Sequence, residues 1–189
     1  MVQSDRHTAQ QIAAGNRDAF AAFVDTHGPR LLRLARRFAD CEADAEDLTQ
    51  EIFVALYRGM AGFRGDCTLS TWAYQIALNH CRKHLARRPV PTLALDDSRD
   101  VPEAAFHGPA HRAAVGELSS QVHLALDALT PEHREVVILH ELHELTYAEC
   151  AAVLNVPLGT VKSRLSYAFR RLRGSLTAYV HSDGEEATP

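Results

Sequence analysis

The sequence has no run of 18 apolar residues among its 189, and its first ten residues are mostly polar. A membrane-spanning helix needs about 20 consecutive apolar residues, and a secretory signal needs an apolar stretch near the N-terminus. We therefore expect neither membrane insertion nor secretion. The expected location of the protein is the cytoplasm.

Cysteine is scarce, and its spacing excludes the common paired motifs. No Cys-x-x-Cys pair occurs among the four cysteines, which are Cys41, Cys67, Cys81 and Cys150. The sequence also lacks a glycine-rich phosphate loop, a nucleophile elbow and a convincing pair of catalytic carboxylates. We predict reduced, unpaired cysteines, with a redox role for one of them as the alternative. We predict no enzymatic activity and no cofactor.

The eleven histidines invite a metal-site hypothesis, but their spacing does not support one. In the stretch LHELHEL at 139–145, His140 and His143 are three residues apart, whereas the zinc-protease motif H-E-x-x-H places its histidines four apart. Residues three apart still share a helix face, so a regulatory site with Glu144, or a metalloenzyme, stays as a minor alternative. We predict no metal site.

The sequence also lacks the alternating pattern of half-buried strands, and helical periodicity dominates instead. We predict an all-α protein. Asn16 is expected to cap a helix that Gly28-Pro29 ends, with another helix after it. Longer helices are expected at about 42–60 and 69–87. A stripe at helical spacing marks the buried side of the first of these two: Leu48, Ile52, Ala55, Leu56 and Met60.

Prolines and charges divide the chain into segments. Four of the eight prolines lie at 89–109, where no helical period occurs, so we predict a flexible linker. Residues 40–51 carry only acidic charges, and residues 162–173 carry only basic ones. The prediction is two small helical domains joined by a linker, with these bounds: a first domain at 10–88, a linker at 89–114, a second domain at 115–175 and a short tail at 176–189.

Residues 145–173 have the pattern of a helix-turn-helix. Thr146 and Glu149 have the spacing of a capping box, Asn155 can adopt the left-handed conformation of a turn, and Val161 can fill the core. A basic helical hairpin that only faces water is the alternative. The residues expected to meet phosphates and base edges lie on the second helix: Thr160, Lys162, Ser163, Arg164, Ser166, Tyr167, Arg170 and Arg171.

Three motifs in this order resemble a known family. They are DAEDLTQEIFVALYRG at 44–59, FRGDCTLSTWAYQIALNHCRKHLARR at 63–88 and LTYAECAAVLNVPLGTVKSRL at 145–165. Together they resemble regions 2 and 4 of bacterial RNA polymerase sigma factors of the extracytoplasmic-function group. The resemblance implies a transcription initiation factor that binds core RNA polymerase, reads the −10 and −35 promoter elements and stabilises promoter melting.

The resemblance also implies roles for individual residues of region 2. One acidic ridge with two aromatic residues is expected to dock on the clamp helices of the largest polymerase subunit: Asp44, Asp47, Gln50, Glu51, Phe53 and Tyr57. The loop at 64–70 and the helix after it are expected to recognise the −10 element and to capture a flipped-out base. The candidates there are Phe63, Arg64, Trp72, Tyr74, Asn79, Arg82, Lys83, Arg87 and Arg88. Trp72 fits the hydrophobic core equally well.

The implied partners are core RNA polymerase, at its clamp helices and flap region, promoter DNA and a separate anti-sigma factor. Region 4 is expected to read the −35 element as duplex from the major groove. A free-standing transcriptional regulator is the main alternative, because it also uses a helix-turn-helix. It would leave the motifs at 44–59 and 63–88 unexplained.

Overall fold

A computed structural model describes residues 2–87, residue 122 and residues 124–182, with side chains at 3–87, 122 and 124–175. The regular elements in these ranges are all helical, and no strand occurs among them, so the predicted all-α class is confirmed. The chain forms two compact units, one N-terminal and one C-terminal. Within the described ranges, no helix is long and apolar enough to cross a membrane. The predicted linker at 89–114 and Arg88 lie outside the described residues.

Four α-helices build the described part of the N-terminal unit. They are α1 (Val2–Ala13), α2 (Arg17–Ala35), α3 (Glu42–Gly59) and α4 (Leu69–Ala86), with a 3-10 turn (Met60–Gly62) directly after α3. The predicted ends of α3 and α4 agree with the structure to within one residue. Asn16 caps α2 as predicted, because its side chain accepts the N–H of Ala19 at 3.0 Å.

The core of the N-terminal unit lies where these helices pack against one another. Leu48, Ile52, Leu56 and Met60 of the predicted stripe are at most 2% exposed, and Ala55 is half-buried. Burying a side chain of this size contributes about 1.5–3 kcal/mol to folding. This stripe fixes α3 with its polar side outward.

The prediction that Gly28-Pro29 ends a helix is wrong. Helix α2 continues through Pro29 to Ala35. Proline in a helix interior costs about 3 kcal/mol because it lacks the N–H for one helical hydrogen bond and its ring crowds the preceding turn. Beyond it, however, Leu31, Leu34 and Ala35 are at most 1% exposed. Burial of these three side chains offsets the local cost of the proline.

Helix α1 places the start of the N-terminal unit earlier than the predicted residue 10. Its residues Ala9 and Ile12 are 2% and 1% exposed, so they belong to the core. The sequence gives little sign of this, because α1 is mostly polar and carries few apolar residues at helical spacing.

The C-terminal unit is also helical. Residues 122 and 124–127 are helical, and α5 (Pro131–Val137) continues into a π-helical turn (Ile138–Leu142). Next come α6 (Tyr147–Leu154) and α7 (Leu158–Ser182). Thr130 is the N-cap residue of α5, and Pro131 is its first helical residue. Helix α7 extends beyond the predicted domain end at 175.

A buried arginine ties α5 to the residues before it. Arg134 is 3% exposed, and its guanidinium donates hydrogen bonds to the carbonyl oxygens of Leu126 at 2.9 Å, Asp127 at 2.7 Å and Leu129 at 3.0 Å. These carbonyls lie in the last turn of the preceding helical residues and directly after it, where carbonyl groups lack partners within the helix; that of Leu126 also accepts the N–H of Leu129 at 3.1 Å. The arginine therefore fixes the connection that leads into α5. Helix α5 in turn packs against α7.

Candidate protein and nucleic-acid interfaces

The start of α6 has the predicted capping box. The N–H of Thr146 donates to Oε2 of Glu149 at 2.9 Å, and the N–H of Glu149 donates to Oγ1 of Thr146 at 3.2 Å. These reciprocal bonds satisfy two N–H groups that a helix start leaves unpaired. The first helix of the predicted helix-turn-helix therefore begins where the sequence indicates.

The turn between α6 and α7 ends the first helix in a Schellman motif. Asn155 has φ +54°, and the N–H of Val156 donates to the carbonyl of Ala151 at 3.1 Å. The N–H of Asn155 approaches the carbonyl of Ala152 at 3.4 Å, which completes the motif. Val161, at 0% exposed, then anchors α7 in the core. The predicted turn residue and core residue are both confirmed.

Helix α7 has one buried side and one broad basic side. Val161, Leu165 and Ala168 are at most 2% exposed. The predicted DNA-contacting residues avoid that side: Thr160 and Arg164 are half-buried, and six others are exposed, namely Lys162, Ser163, Ser166, Tyr167, Arg170 and Arg171. The structure therefore brings all eight onto one accessible surface.

Helix α4 exposes a second basic surface. Asn79, Arg82, Lys83 and Arg87 are exposed, and Nη1 of Arg82 lies 3.4 Å from Oδ1 of Asn79. The pKa of the neighbouring His80 is lowered, first by burial and then by the positive charge of Lys83. A neutral histidine among these cations leaves the surface charge to the arginines and the lysine.

Two of the predicted aromatic residues meet beside the loop before α4, Phe63 at the start of the loop and Trp72 in the first turn of α4. Phe63 and Trp72 are both half-buried, with ring centroids 5.5 Å apart in an edge-to-face arrangement. Arg64 extends into solvent with its side chain 84% exposed, and its Nε lies 3.0 Å from Oδ2 of Asp66. Aromatic and basic groups thus meet at one place, as handling of an unpaired strand requires.

Tyr74 is a correction to the predicted DNA-contacting set. Its side chain is 2% exposed and lies on the inward side of α4 with Ala77 and Leu78, which are 0% and 1% exposed. A ring in this position packs in the core and has no access to a DNA strand. From the sequence it could not be separated from Trp72, because both lie in one segment of mixed aromatic and basic residues.

An open groove of about 560 Å³ runs along the polar side of α3. Its lining includes the exposed Asp47, Gln50 and Glu51 together with Val54, which is 49% exposed. The groove is completed by Ala55, Arg58 and His80. Val54 was not among the predicted docking residues, although its spacing of four and seven residues from Gln50 and Asp47 places it on the same helix face.

The other predicted docking residues are partly engaged within the unit. Oδ2 of Asp44 accepts the N–H of Asp40 at 3.0 Å and lies 3.1 Å from Nε2 of His84. Phe53 is half-buried, with its ring centroid 6.4 Å from that of Phe20. Tyr57, by contrast, is 44% exposed. Of the two aromatic residues, Tyr57 therefore offers the larger surface to a partner.

The cysteine chemistry does not favour the redox alternative. All four cysteines are free, and Cys81 and Cys150 are buried. Burial raises the pKa of the Cys150 thiol to about 12, and burial followed by the charge of Asp66 raises the pKa of Cys67. A raised pKa reduces the thiolate fraction, and the thiolate is the reactive form.

The two histidines of the LHELHEL stretch have structural surroundings. The Nδ1 atom of His140 lies 2.8 Å from the carbonyl oxygen of Leu145, and its ring lies 4.7 Å from that of Tyr147. His143 is 3% exposed. Across the described part of the chain, no group of three His, Cys, Asp or Glu side chains has an arrangement that could hold a metal ion.

Comparison with known proteins places both units in one family. The model of sigma-70 region 2 matches residues 23–89, and the model of sigma-70 region 4 matches residues 119–172. The chain is 34% identical over 171 residues to the ECF RNA polymerase sigma factor SigM of Mycobacterium tuberculosis H37Rv, covering 90% of this chain and 83% of that protein. It is 32% identical over 190 residues to the ECF RNA polymerase sigma factor SigE of Mycolicibacterium smegmatis, covering 97% and 74%.

A solved structure of CnrH in complex with the cytosolic domain of CnrY is similar to this chain with a TM-score of 0.71. The sequence identity is 30%, and the match covers 92% of this chain and 97% of that one. The sigma factor RpoE of Bartonella quintana, in complex with the anti-sigma factor NepR, shares the fold with a TM-score of 0.62 at 21% identity, covering 84% and 96%.

A helical unit with region 2 motifs and a helix-turn-helix unit with region 4 motifs define a protein of the sigma-70 class. Within that class, the chain belongs to the extracytoplasmic-function group of RNA polymerase sigma factors. It is a transcription initiation factor that directs RNA polymerase to promoters.

Proposed function

We propose that the two units divide promoter recognition between them, with α4 and its preceding loop reading the −10 element and α7 reading the −35 element. The observation that carries this proposal is the pair of separate basic surfaces, one on α4 and one on α7, in a chain whose net charge is −4. Basic side chains concentrated on two helices attract DNA at those two places, and the rest of the molecule does not attract it.

The α4 surface suits an unpaired strand. Phe63 and Trp72 supply ring surface on which a base can stack, and the exposed Arg82, Lys83 and Arg87 supply cations for phosphates. A base held in this way stabilises the melted duplex without ATP, because binding energy offsets the lost stacking and pairing. Asn79, which carries both a donor and an acceptor, is the candidate for reading a base edge.

The α7 surface suits duplex DNA. An exposed helix after a tight turn enters the major groove in helix-turn-helix proteins. Arg164 and Lys162 lie in its first half, where base contacts are made, and Arg170 and Arg171 lie further along, where they reach phosphates. The flap region of the polymerase is the proposed protein partner of this unit.

The α3 groove is the proposed docking site for the clamp helices of the largest polymerase subunit. Its lining combines the polar and acidic side chains of Asp47, Gln50 and Glu51 with the exposed side chain of Val54. Protein interfaces usually combine apolar and charged groups, and the carboxylates of Asp47 and Glu51 call for basic groups on the partner, whereas Arg58 in the same groove calls for an acidic one. Asp44, the first residue of the predicted acidic ridge on this helix, is held in place by its contacts to Asp40 and His84.

Control by a separate anti-sigma factor in the cytoplasm is part of the proposal. CnrH is bound to the cytosolic domain of CnrY, and RpoE is bound to the anti-sigma factor NepR. Covering the α3 groove or either basic surface would prevent initiation without any chemical change.

In vitro transcription from genomic DNA fragments, with core RNA polymerase and with or without this protein, tests the proposal. We expect new RNA start sites that share two boxes at a fixed separation. Specific binding to duplex DNA without polymerase, and no new start sites, would instead favour the free-standing regulator.

A further inference from the structure

Helix α1 contributes a side chain to the start of α4. Oδ2 of Asp5 accepts a hydrogen bond from the N–H of Leu69 at 2.9 Å, across 64 residues of sequence. Leu69 is the first residue of α4, where the helix leaves N–H groups without partners. Thr68 accepts the N–H of Thr71 at 3.1 Å, so one local and one distant side chain share this helix start. A carboxylate here also interacts favourably with the helix dipole.

The next residue of α1 lies against the middle of the loop that precedes α4. Gly65 has φ +74°, and a Cβ atom at this position would lie 2.8 Å from Cγ and 3.0 Å from Cδ of Arg6. The backbone conformation therefore favours glycine at this position, and the absence of a Cβ atom lets the side chain of Arg6 lie directly against the loop. On either side of Gly65, the side chains of Arg64 and Asp66 are 84% and 69% exposed.

Helix α1 is itself fixed in the N-terminal unit. Ala9 and Ile12 are buried in the core, and the helix packs against the 3-10 turn and against α4. Asp5 and Arg6 are thus held on an anchored element rather than on a loose terminus, as precise support of a loop requires. They lie before residues 23–89, which match the region 2 model, and before the predicted domain start.

We propose that Asp5 and Arg6 are positioning residues for −10 recognition, which hold the loop at 63–68 in the conformation that meets the displaced strand. This inference rests on the proposed function of the loop. A loop held in its binding conformation loses less conformational entropy when it binds. Loss of this support therefore slows promoter opening and weakens discrimination between −10 sequences. It leaves polymerase binding by α3 and duplex binding by α7 unchanged.

The test uses the full chain with core RNA polymerase and a promoter fragment selected from genomic DNA by the wild-type holoenzyme. Asp5→Ala removes the acceptor, Asp5→Asn keeps an oxygen acceptor without the charge, and Arg6→Ala removes the second support. Gln10→Ala is the matched control, because Gln10 is an exposed residue of the same helix. Opening is followed by permanganate reactivity of unpaired thymines, on this promoter and on a copy with one −10 base pair changed. Core affinity is measured in parallel.

We expect Asp5→Ala to slow opening about three- to tenfold, as for loss of one charge-assisted hydrogen bond. The ratio of opening rates on the two promoters should fall toward one, and core affinity should not change. Arg6→Ala should act in the same direction, Asp5→Asn should be intermediate, and Gln10→Ala should match the wild type.

Wild-type opening and discrimination in both Asp5→Ala and Arg6→Ala would overturn the inference. So would an equal loss on both promoters together with weaker core binding, since that pattern reports general unfolding. If the wild-type protein opens no promoter, the proposed function fails and this inference fails with it. If the wild type opens the promoter and the variants open it equally well, only the proposed role of α1 is overturned.

Discussion

Asn155 holds the turn of the helix-turn-helix in the left-handed conformation, with φ +54°. A side chain with a Cβ atom and no local hydrogen bonding is strained there by roughly 1–2 kcal/mol. We expect Asn155→Ala to lower the free energy of unfolding by about 1 kcal/mol, and Asn155→Gly to leave it nearly unchanged or to raise it. Urea unfolding of the two variants measures this. Equal stability of the two variants would show that the turn does not need this conformation.

Cys150 makes the folded state sensitive to alkaline pH. Burial raises the pKa of its thiol from 9.0 in the unfolded chain to about 12. Because the folded-state pKa is the higher one, the buried thiol makes its full contribution to the free energy of unfolding below pH 9. This contribution is lost as the pH rises from 9 toward 12. We expect the difference in unfolding free energy between the wild type and Cys150→Ala to shrink between pH 8 and pH 10.

The comparison with Cys150→Ala cancels the titration of groups that both proteins share. A difference that stays constant over this pH range would contradict the burial of an un-ionised thiol. Alkylation gives an independent check, since Cys41 is exposed and should react in the folded protein, whereas Cys150 should react only after unfolding.

Local hydrogen-bond chemistry made some single residues predictable. Thr146, Glu149 and Asn155 act within a few residues of sequence, so their spacing was sufficient to assign the capping box and the turn. The burial of Tyr74 and the contact of Asp5 with Leu69 depend instead on residues far away in sequence. The sequence alone contains no direct signal for the burial of Tyr74 or for the contact of Asp5, because both depend on three-dimensional packing.

At the scale of elements, α2 shows how the burial of side chains can outweigh the cost of a proline inside a helix. Pro29 is an exposed residue inside this helix, and it deprives the helix of one backbone hydrogen bond. We expect Pro29→Ala to raise the free energy of unfolding by about 1–3 kcal/mol. Thermal unfolding of the full chain measures the change. An unchanged or lower stability would mean that the helix is distorted at this position in a way that suits proline.

The long helices were the most predictable elements, and the exceptions have physical causes. Helices α3 and α4 have apolar stripes over four to five turns, which fix their ends to within one residue. The break at Gly28-Pro29 was wrong because burial beyond it outweighs the local preference of proline. Helix α1 was missed because its buried side consists of only a few apolar residues.

The α3 groove gives a prediction about polymerase binding. Asp47→Ala combined with Gln50→Ala removes two polar side chains from its lining, and we expect the affinity for core RNA polymerase to fall about tenfold. Asp25→Ala is the control, since it removes an exposed acid from α2, away from the groove. Fluorescence anisotropy with labelled protein measures the affinity. Unaltered affinity in the double variant would count against docking at this groove.

At the scale of the whole molecule, charge distribution reconciles a net charge of −4 with DNA binding. The basic residues of α4 and α7 are exposed on their own surfaces, and the acidic residues of α3 line a groove. The local field at each surface, rather than the total charge, determines which partner it attracts. In the proposed function, the groove on α3 serves the protein partner and the basic surfaces on α4 and α7 serve DNA.

The division of promoter recognition is tested most directly with a promoter library in which both boxes are randomised. The library is transcribed by core RNA polymerase with the wild type, Asn79→Ala or Arg164→Ala, and the transcribed templates are sequenced. We predict that Asn79→Ala relaxes preference only in the −10 box and that Arg164→Ala relaxes it only in the −35 box, each by about 1–3 kcal/mol at the contacted position. Relaxation of both boxes by either variant, or no change by both, would contradict the account.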